Sequence, residues 1–149
     1  MSQSPQVQER RSGTRALIDK MLAERQQMLV LYERVAGIEP YAAESASDEL
    51  LQEFSQILVD YIATGHFGLY GRIAEGKERR RGVLSLAEQL YPRIADTTEA
   101  AVAFNDAFEN LGENGRDDEL PRLLSKLGEE LAVRIELEDQ LIAEVLGGA

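Results

Sequence analysis

Apolar residues recur along the chain at the spacing of helical turns. Leu17, Ile18, Met21, Leu22, Met28, Leu29, Tyr32 and Val35 follow one another at intervals of three, four and seven, which lays one apolar stripe along a helix from about residue 14 to Ala36. Gly37 closes that segment, being free to take the left-handed conformation common at helix ends. Pro40 removes a backbone donor and biases Glu39 away from helical geometry, so IEPYAAESAS (38–47) reads as a connector. Ser47 as N-cap, with Asp48 and Glu49 in the first turn, opens a second helix that runs to about Ala74. A third covers GKERRRGVLSLAEQLYPRI, where Pro92 predicts a kink or a split. Asp96-Thr97-Thr98-Glu99 carries a capping-box pattern that opens a fourth helix to about Leu111. GENGRDD (112–118) reads as a turn, and the last helix runs from near Asp118, with Pro121 in its first turn, to Gly147-Gly148. No stretch reads as a strand pair. The prediction is all-α: an antiparallel up-and-down bundle of four principal long helices with short additional helical segments. Residues 1–12 are expected to form a disordered tail, and 13–149 a single domain.

Composition narrows the function. Of 149 residues, 44% are hydrophobic and 29% charged, which is the balance of a globular protein. No apolar run approaches the length of a membrane span, and MSQSPQVQERRSG at the N-terminus has no apolar h-region, so a soluble, cytoplasmic protein is expected. Cysteine is absent, which excludes disulfides, thiolate zinc sites, iron–sulfur clusters and Cys nucleophiles. The formal charge of −11 repels nucleic acid and anionic membranes, whose binding depends on Lys and Arg. The same field attracts a basic protein partner.

The second helix holds the least ordinary stretch, LVDYIATGHFGLYGR (58–72), with Gly65, Gly68 and Gly71 spaced three apart. At 100° per residue, Leu50, Phe54, Ile57, Leu58, Tyr61, Ile62, Gly65 and Leu69 share a core arc. Opposite lie Asp60, Ala63, Thr64, Phe67 and Gly71, within about 100° of one another. An exposed helix face normally carries Lys, Glu and Arg, whereas this one carries a carboxylate, an aromatic ring and three small residues. Two readings follow from the pattern: a docking face for a partner, or a face covered by another part of the same bundle. Gly68, at the edge of the core arc, suits close helix packing.

His66 is the only histidine, and the wheel places it at the core boundary as a partly buried structural imidazole. A di-iron bundle needs Glu-x-x-His on two helices, and here Ala63 precedes the one histidine at −3. No serine occupies a nucleophile elbow, and the glycine run lacks the Lys-Ser/Thr of a P-loop. Neither a metal nor another cofactor is expected. A histidine phosphotransfer domain, also a helical bundle with one mid-helix histidine, is the alternative reading. Such domains carry Lys three residues after the histidine and Gly next, where this chain has Leu69 and Tyr70. In the last helix Leu120, Leu124, Leu127, Leu131, Ile135, Ile142 and Val145 form a stripe with Glu138 at its centre. A buried carboxylate needs partners, so Glu138 is expected in a structural polar network with Tyr61, Tyr32, His66 or Arg134. The basic run Lys77-Glu78-Arg79-Arg80-Arg81 reads as a solvated face.

LVDYIATGHFGLYGRI (58–73), preceded by DELLQEFSQ, together with RIELEDQLI (134–142) and ALIDKMLAERQQMLVLYERVAGIEP (16–40), resembles the Rsd/AlgQ family of anti-sigma factors in the same order over most of the chain. The resemblance implies a helical-bundle protein without catalysis. It implies binding to region 4 of the primary sigma factor, a helix-turn-helix domain with a basic DNA-facing surface. Sigma is thereby kept from core polymerase and the −35 element, which favours alternative sigma factors as growth slows into stationary phase. The sigma-contacting roles fall on Asp60, which would receive an arginine, and on Phe67, which would pack on an apolar helix surface. Relatives can carry Ser at the position of Ala63 and often Trp at that of Met21; the missing hydroxyl removes at most one hydrogen bond, about 0.5–1.5 kcal/mol. The expected partner-binding set is Asp60, Ala63, Thr64, Phe67 and Gly71, on a monomer whose weak self-association through that face stays open.

Overall fold

The computed structural model describes residues 5–37, 48–74, 80–111 and 119–147, with side chains from Gly13 onward, Ala74 excepted. Its elements are α1 (Pro5–Val35), α2 (Asp48–Ala63), a π-helical segment (Thr64–Tyr70), α3 (Gly71–Ala74), α4 (Arg81–Glu109) and α5 (Leu120–Gly147). The connector at 38–47 with the Ser47 cap, the stretch 75–79 with most of the basic run, and the 112–118 turn lie outside the described residues.

The apolar stripes do what their period dictates. Ile18, Met21, Met28, Leu31 and Val35 of α1 are buried, and so are Leu50, Leu51, Phe54, Leu58 and Tyr61 of α2. Gly37 ends α1 with φ 69°, while the Ala36 N–H donates to the Tyr32 carbonyl at 2.9 Å. Asp48 and Glu49 occupy the first turn of α2 and complement the positive end of its dipole. In α5 the line Leu120, Leu124, Leu127, Leu131 continues through Arg134 and Glu138 to Leu141, Ile142 and Val145, all buried.

Pairings between helices give an antiparallel bundle. Along α1 from Arg25 to Tyr32, the partners on α5 retreat from Glu138 to the carbonyl of Leu124. Tyr32 packs on Phe54 whereas Glu24 reaches Thr64, so α2 runs against α1. Phe54 meets Phe104 and Tyr70 meets Tyr91, so α4 runs against α2. Among the described residues no helix is long and apolar enough to cross a membrane.

The predicted break between a third and a fourth helix does not occur. Residues 81–109 form one helix with Pro92 inside it. Pro92 is exposed, so the carbonyl that loses its helical donor can be hydrated. Nor do Asp96-Thr97-Thr98-Glu99 cap a helix start. Thr97 and Thr98 donate back to the Ile94 carbonyl at 2.6 and 3.3 Å and turn their oxygens toward α5. Hydroxyls in a capping pattern serve equally well as mid-helix acceptors when a buried donor faces them.

Candidate docking face and the charge network beneath it

The α2 helix does not continue as a regular α-helix to Ala74. From Thr64 to Tyr70 the turn widens to the i→i+5 pattern. Two of the three glycines belong to this widening and to what packs against it. A methyl group on Gly65 would lie 3.0 Å from Arg134 Nη2, 3.2 Å from Tyr70 Cε2 and 3.5 Å from Met21 Sδ. One on Gly68 would lie 3.2 Å from Leu17 Cδ2. Both glycines therefore face the bundle and admit side chains of α1 and α5. A methyl on Gly71, half-buried at the end of the segment, would sit 3.3 Å from the His66 carbonyl.

The wider turn changes which residues face out. Tyr70, two and a half α-helical turns beyond Tyr61, is buried with it, and His66 is exposed. The expectation of a partly buried structural imidazole is thus corrected: the His66 ring lies edge-on to Phe67 at 4.8 Å, and the partners of Glu138 are other residues. Phe67 is 78% exposed. Asp60 is exposed as well, its carboxylate accepting from Gln56 Nε2 at 3.1 Å. Ala63 lies half-buried between them in the helical sequence. Thr64 differs from expectation, because its half-buried hydroxyl donates to the Glu24 carboxylate at 2.9 and 3.0 Å and pins the segment to α1. Beside Asp60 the face continues into a groove of about 600 Å³ between α1 and α2, lined by Gln26, Gln27, Val30, Glu53 and Gln56. Val30, 39% exposed, lines this groove, whereas Val59, 45% exposed, lies on the other flank of α2 beside Ser55, Asn105 and Phe108. Neither valine was anticipated, although each stands outside the apolar stripe of its own helix.

Beneath the face lies a closed network centred on Glu138. Glu138 and Arg134 are both 0% exposed, and Arg134 Nε donates to Glu138 Oε2 at 3.0 Å. Tyr61 donates to Oε1 and Tyr70 to Oε2, the latter at 3.2 Å, and Arg25 Nη1 adds a longer contact to Oε1 at 3.5 Å while pairing with Asp139 at 2.8 Å. Arg134 Nη1 donates to Thr97 and Thr98 at 3.2 and 2.8 Å. Its guanidinium lies over the rings of Tyr61 and Tyr70, 5.4 and 5.8 Å from their centroids. Arg134 Nη2, turned toward Gly65, has no hydrogen-bond partner among the described residues. Of the four partners expected for Glu138, Tyr61 and Arg134 are present, whereas Tyr32 donates to the Leu124 carbonyl. Tyr70 and Arg25 were not anticipated.

Burial first, and then the charge of Glu138, push the Tyr61 and Tyr70 hydroxyls far above the ordinary phenol range. A raised folded-state pKa gives stability that is complete below the unfolded value near pH 10 and is lost as pH rises above it. Each such phenol costs about 1.4 kcal/mol per pH unit in that window. Urea unfolding at pH 9 through 11 is expected to show a steep alkaline decline, which becomes shallower in Tyr70→Phe. A flat profile would contradict the burial of these hydroxyls.

The chemistry on this side is divided: charges and hydroxyls are tied to one another inside, and an aromatic ring, a carboxylate and aliphatic groups stand outside. The chain belongs to the Rsd/AlgQ family, whose model, described as regulator of the RNA polymerase sigma(70) subunit, matches residues 1–146. Similar proteins include the regulator of sigma D of an Enterobacter species, 37% identical with 98% of this chain and 90% of the relative covered. That of Yersinia enterocolitica is 35% identical over 90% of this chain and 83% of its own, and that of Shigella boydii 34% identical over 100% and 96%. The family is described as regulatory.

Proposed function

We propose that this protein is an anti-sigma factor that holds region 4 of the primary sigma factor against the outer side of α2 and the segment after it, and so keeps sigma from core polymerase and the −35 element. The observation that carries the reading is Phe67, 78% exposed on the same helix run as an exposed Asp60. A large ring left in water is poor surface but a good anchor once a partner desolvates it. Asp60 is the group to receive a guanidinium, because two carboxylate oxygens match its fork of donors. Ala63 keeps the ground between them low, and a chain of charge −11 draws in a basic helix-turn-helix surface. Thr64 and Gly71 frame the contact from half-buried positions rather than anchor it. We place this action in the cytoplasm, on a monomer that binds no nucleic acid directly.

Calorimetry with isolated region 4 tests this. Asp60→Ala is expected to weaken the complex by more than about 1 kcal/mol, and wild-type affinity to fall as salt rises. An absent complex at low salt, or full affinity in Asp60→Ala, opposes the proposal. The phosphotransfer reading gains His66 exposure but loses its supporting positions, since Leu69 and Tyr70, where a lysine and a glycine would stand, are both buried.

A further inference from the structure

We propose that Tyr70 is a positioning residue: its hydrogen bond to Glu138 fixes the π-helical register of residues 64–70 and thereby sets the direction in which Phe67 is presented. The geometry of helical turns carries this. Tyr61 and Tyr70 are nine positions apart, and in an α-helix of 3.6 residues per turn that separation is about two and a half turns, which places the two rings on opposite faces. Yet both hydroxyls donate to the one carboxylate of Glu138, and both rings flank the one guanidinium of Arg134. Only a wider turn between them brings them to the same side, and the wide turn lies between them at Thr64–Tyr70.

The register and the Tyr70 contact therefore require each other. A π-helical turn is an unusual conformation that needs tertiary support, and the glycines in this one weaken the local helix further. Support comes at both ends, from Thr64 on Glu24 and from Tyr70 on Glu138. Gly65 lets Arg134 reach the inner side of the segment, so the whole wide turn closes on a guanidinium. Phe67 sits mid-segment, where a wider turn advances fewer degrees per residue, so its angle to Asp60 differs from that of an α-helix. Releasing Tyr70 lets the segment relax toward the narrower turn and rotates the ring.

The role in binding rests on the proposed docking face; the register itself does not. The test uses full-length chain labelled with ring-13C phenylalanine, with the Phe67 resonance assigned by Phe67→Leu, alongside calorimetry with region 4 of the primary sigma factor. Tyr70→Phe keeps the ring and removes the hydroxyl. Ser55→Ala, which removes a hydrogen bond to Asn105 elsewhere on α2, is the control. In Tyr70→Phe the Phe67 resonance is expected to shift or broaden and the affinity to fall roughly fivefold, the scale of one hydrogen bond, with neither change in Ser55→Ala. An unmoved Phe67 resonance overturns the register claim, and so does an equal disturbance in the control. A shifted resonance with unchanged affinity overturns the positioning role. Wild-type chain that fails to bind region 4 overturns the docking reading instead, while the ring-carbon spectrum of the free protein still decides the register.

Discussion

Replacing Glu138 by alanine is expected to lower the unfolding free energy by about 3–5 kcal/mol, the scale of breaking a buried ion pair from one side. Arg134 has no solvent exposure, and its nearest compensating charge is Glu138. The substitution also leaves the Tyr61 and Tyr70 hydroxyls without their acceptor. For a chain of this length that corresponds to a fall in melting temperature of roughly 6–20 °C. Replacing both partners, Glu138→Leu with Arg134→Met, is expected to cost less than Glu138→Ala alone, because no charge is then stranded. Urea and thermal unfolding of the two variants decide it. A single-variant loss under about 1 kcal/mol would mean that water enters the network.

The largest effect on binding is expected from Phe67→Ala. Its exposure leaves little to lose in the free protein, so the melting temperature should stay within the scatter of surface substitutions, about 0.5 kcal/mol. Affinity for region 4 is expected to fall by about 2 kcal/mol, roughly thirtyfold, as at an aromatic anchor. This split is the informative part. A variant that melts early would place the ring in the fold, and one that binds normally would move the interface away from it.

How far the sequence led depended on whether local pattern or tertiary demand ruled each element. Stripes such as Ile18, Met21 and Met28 on α1 and the leucines of α5 follow one period, and their burial was readable directly. So was the end of α1 at Gly37. Glu138 was readable because a carboxylate in the middle of an apolar stripe must be paired. The exposure of Asp60 followed from the wheel because it lies before the wide turn, and that of Phe67 because its place far from the core arc tolerates the shift in angle.

What stayed hidden depends on contacts between distant segments. The wide turn is set by Tyr61, Tyr70 and Arg134 meeting at Glu138, and no single stretch encodes that meeting. The burial of Tyr70 was hidden for that reason, since a wheel of fixed pitch carries no register shift. The Asp96-Thr97-Thr98-Glu99 pattern misled for a related one: Thr97 and Thr98 answer to Arg134 across the bundle rather than to a helix start. Arg25 carries no signal within its own segment, because its partner Asp139 comes from α5.

The inward crowding at Gly65 has a practical corollary for redesign. Within a dozen residues of helix, one position is crowded by Arg134, Tyr70 and Met21, and others stand outward with only neighbours from their own helix beside them. A combinatorial library confined to Asp60, Ala63 and Phe67 would retarget the molecule to a different cationic helix while leaving the scaffold intact, whereas a library that admits Gly65 would push Arg134 and Tyr70 out of place in most of its members.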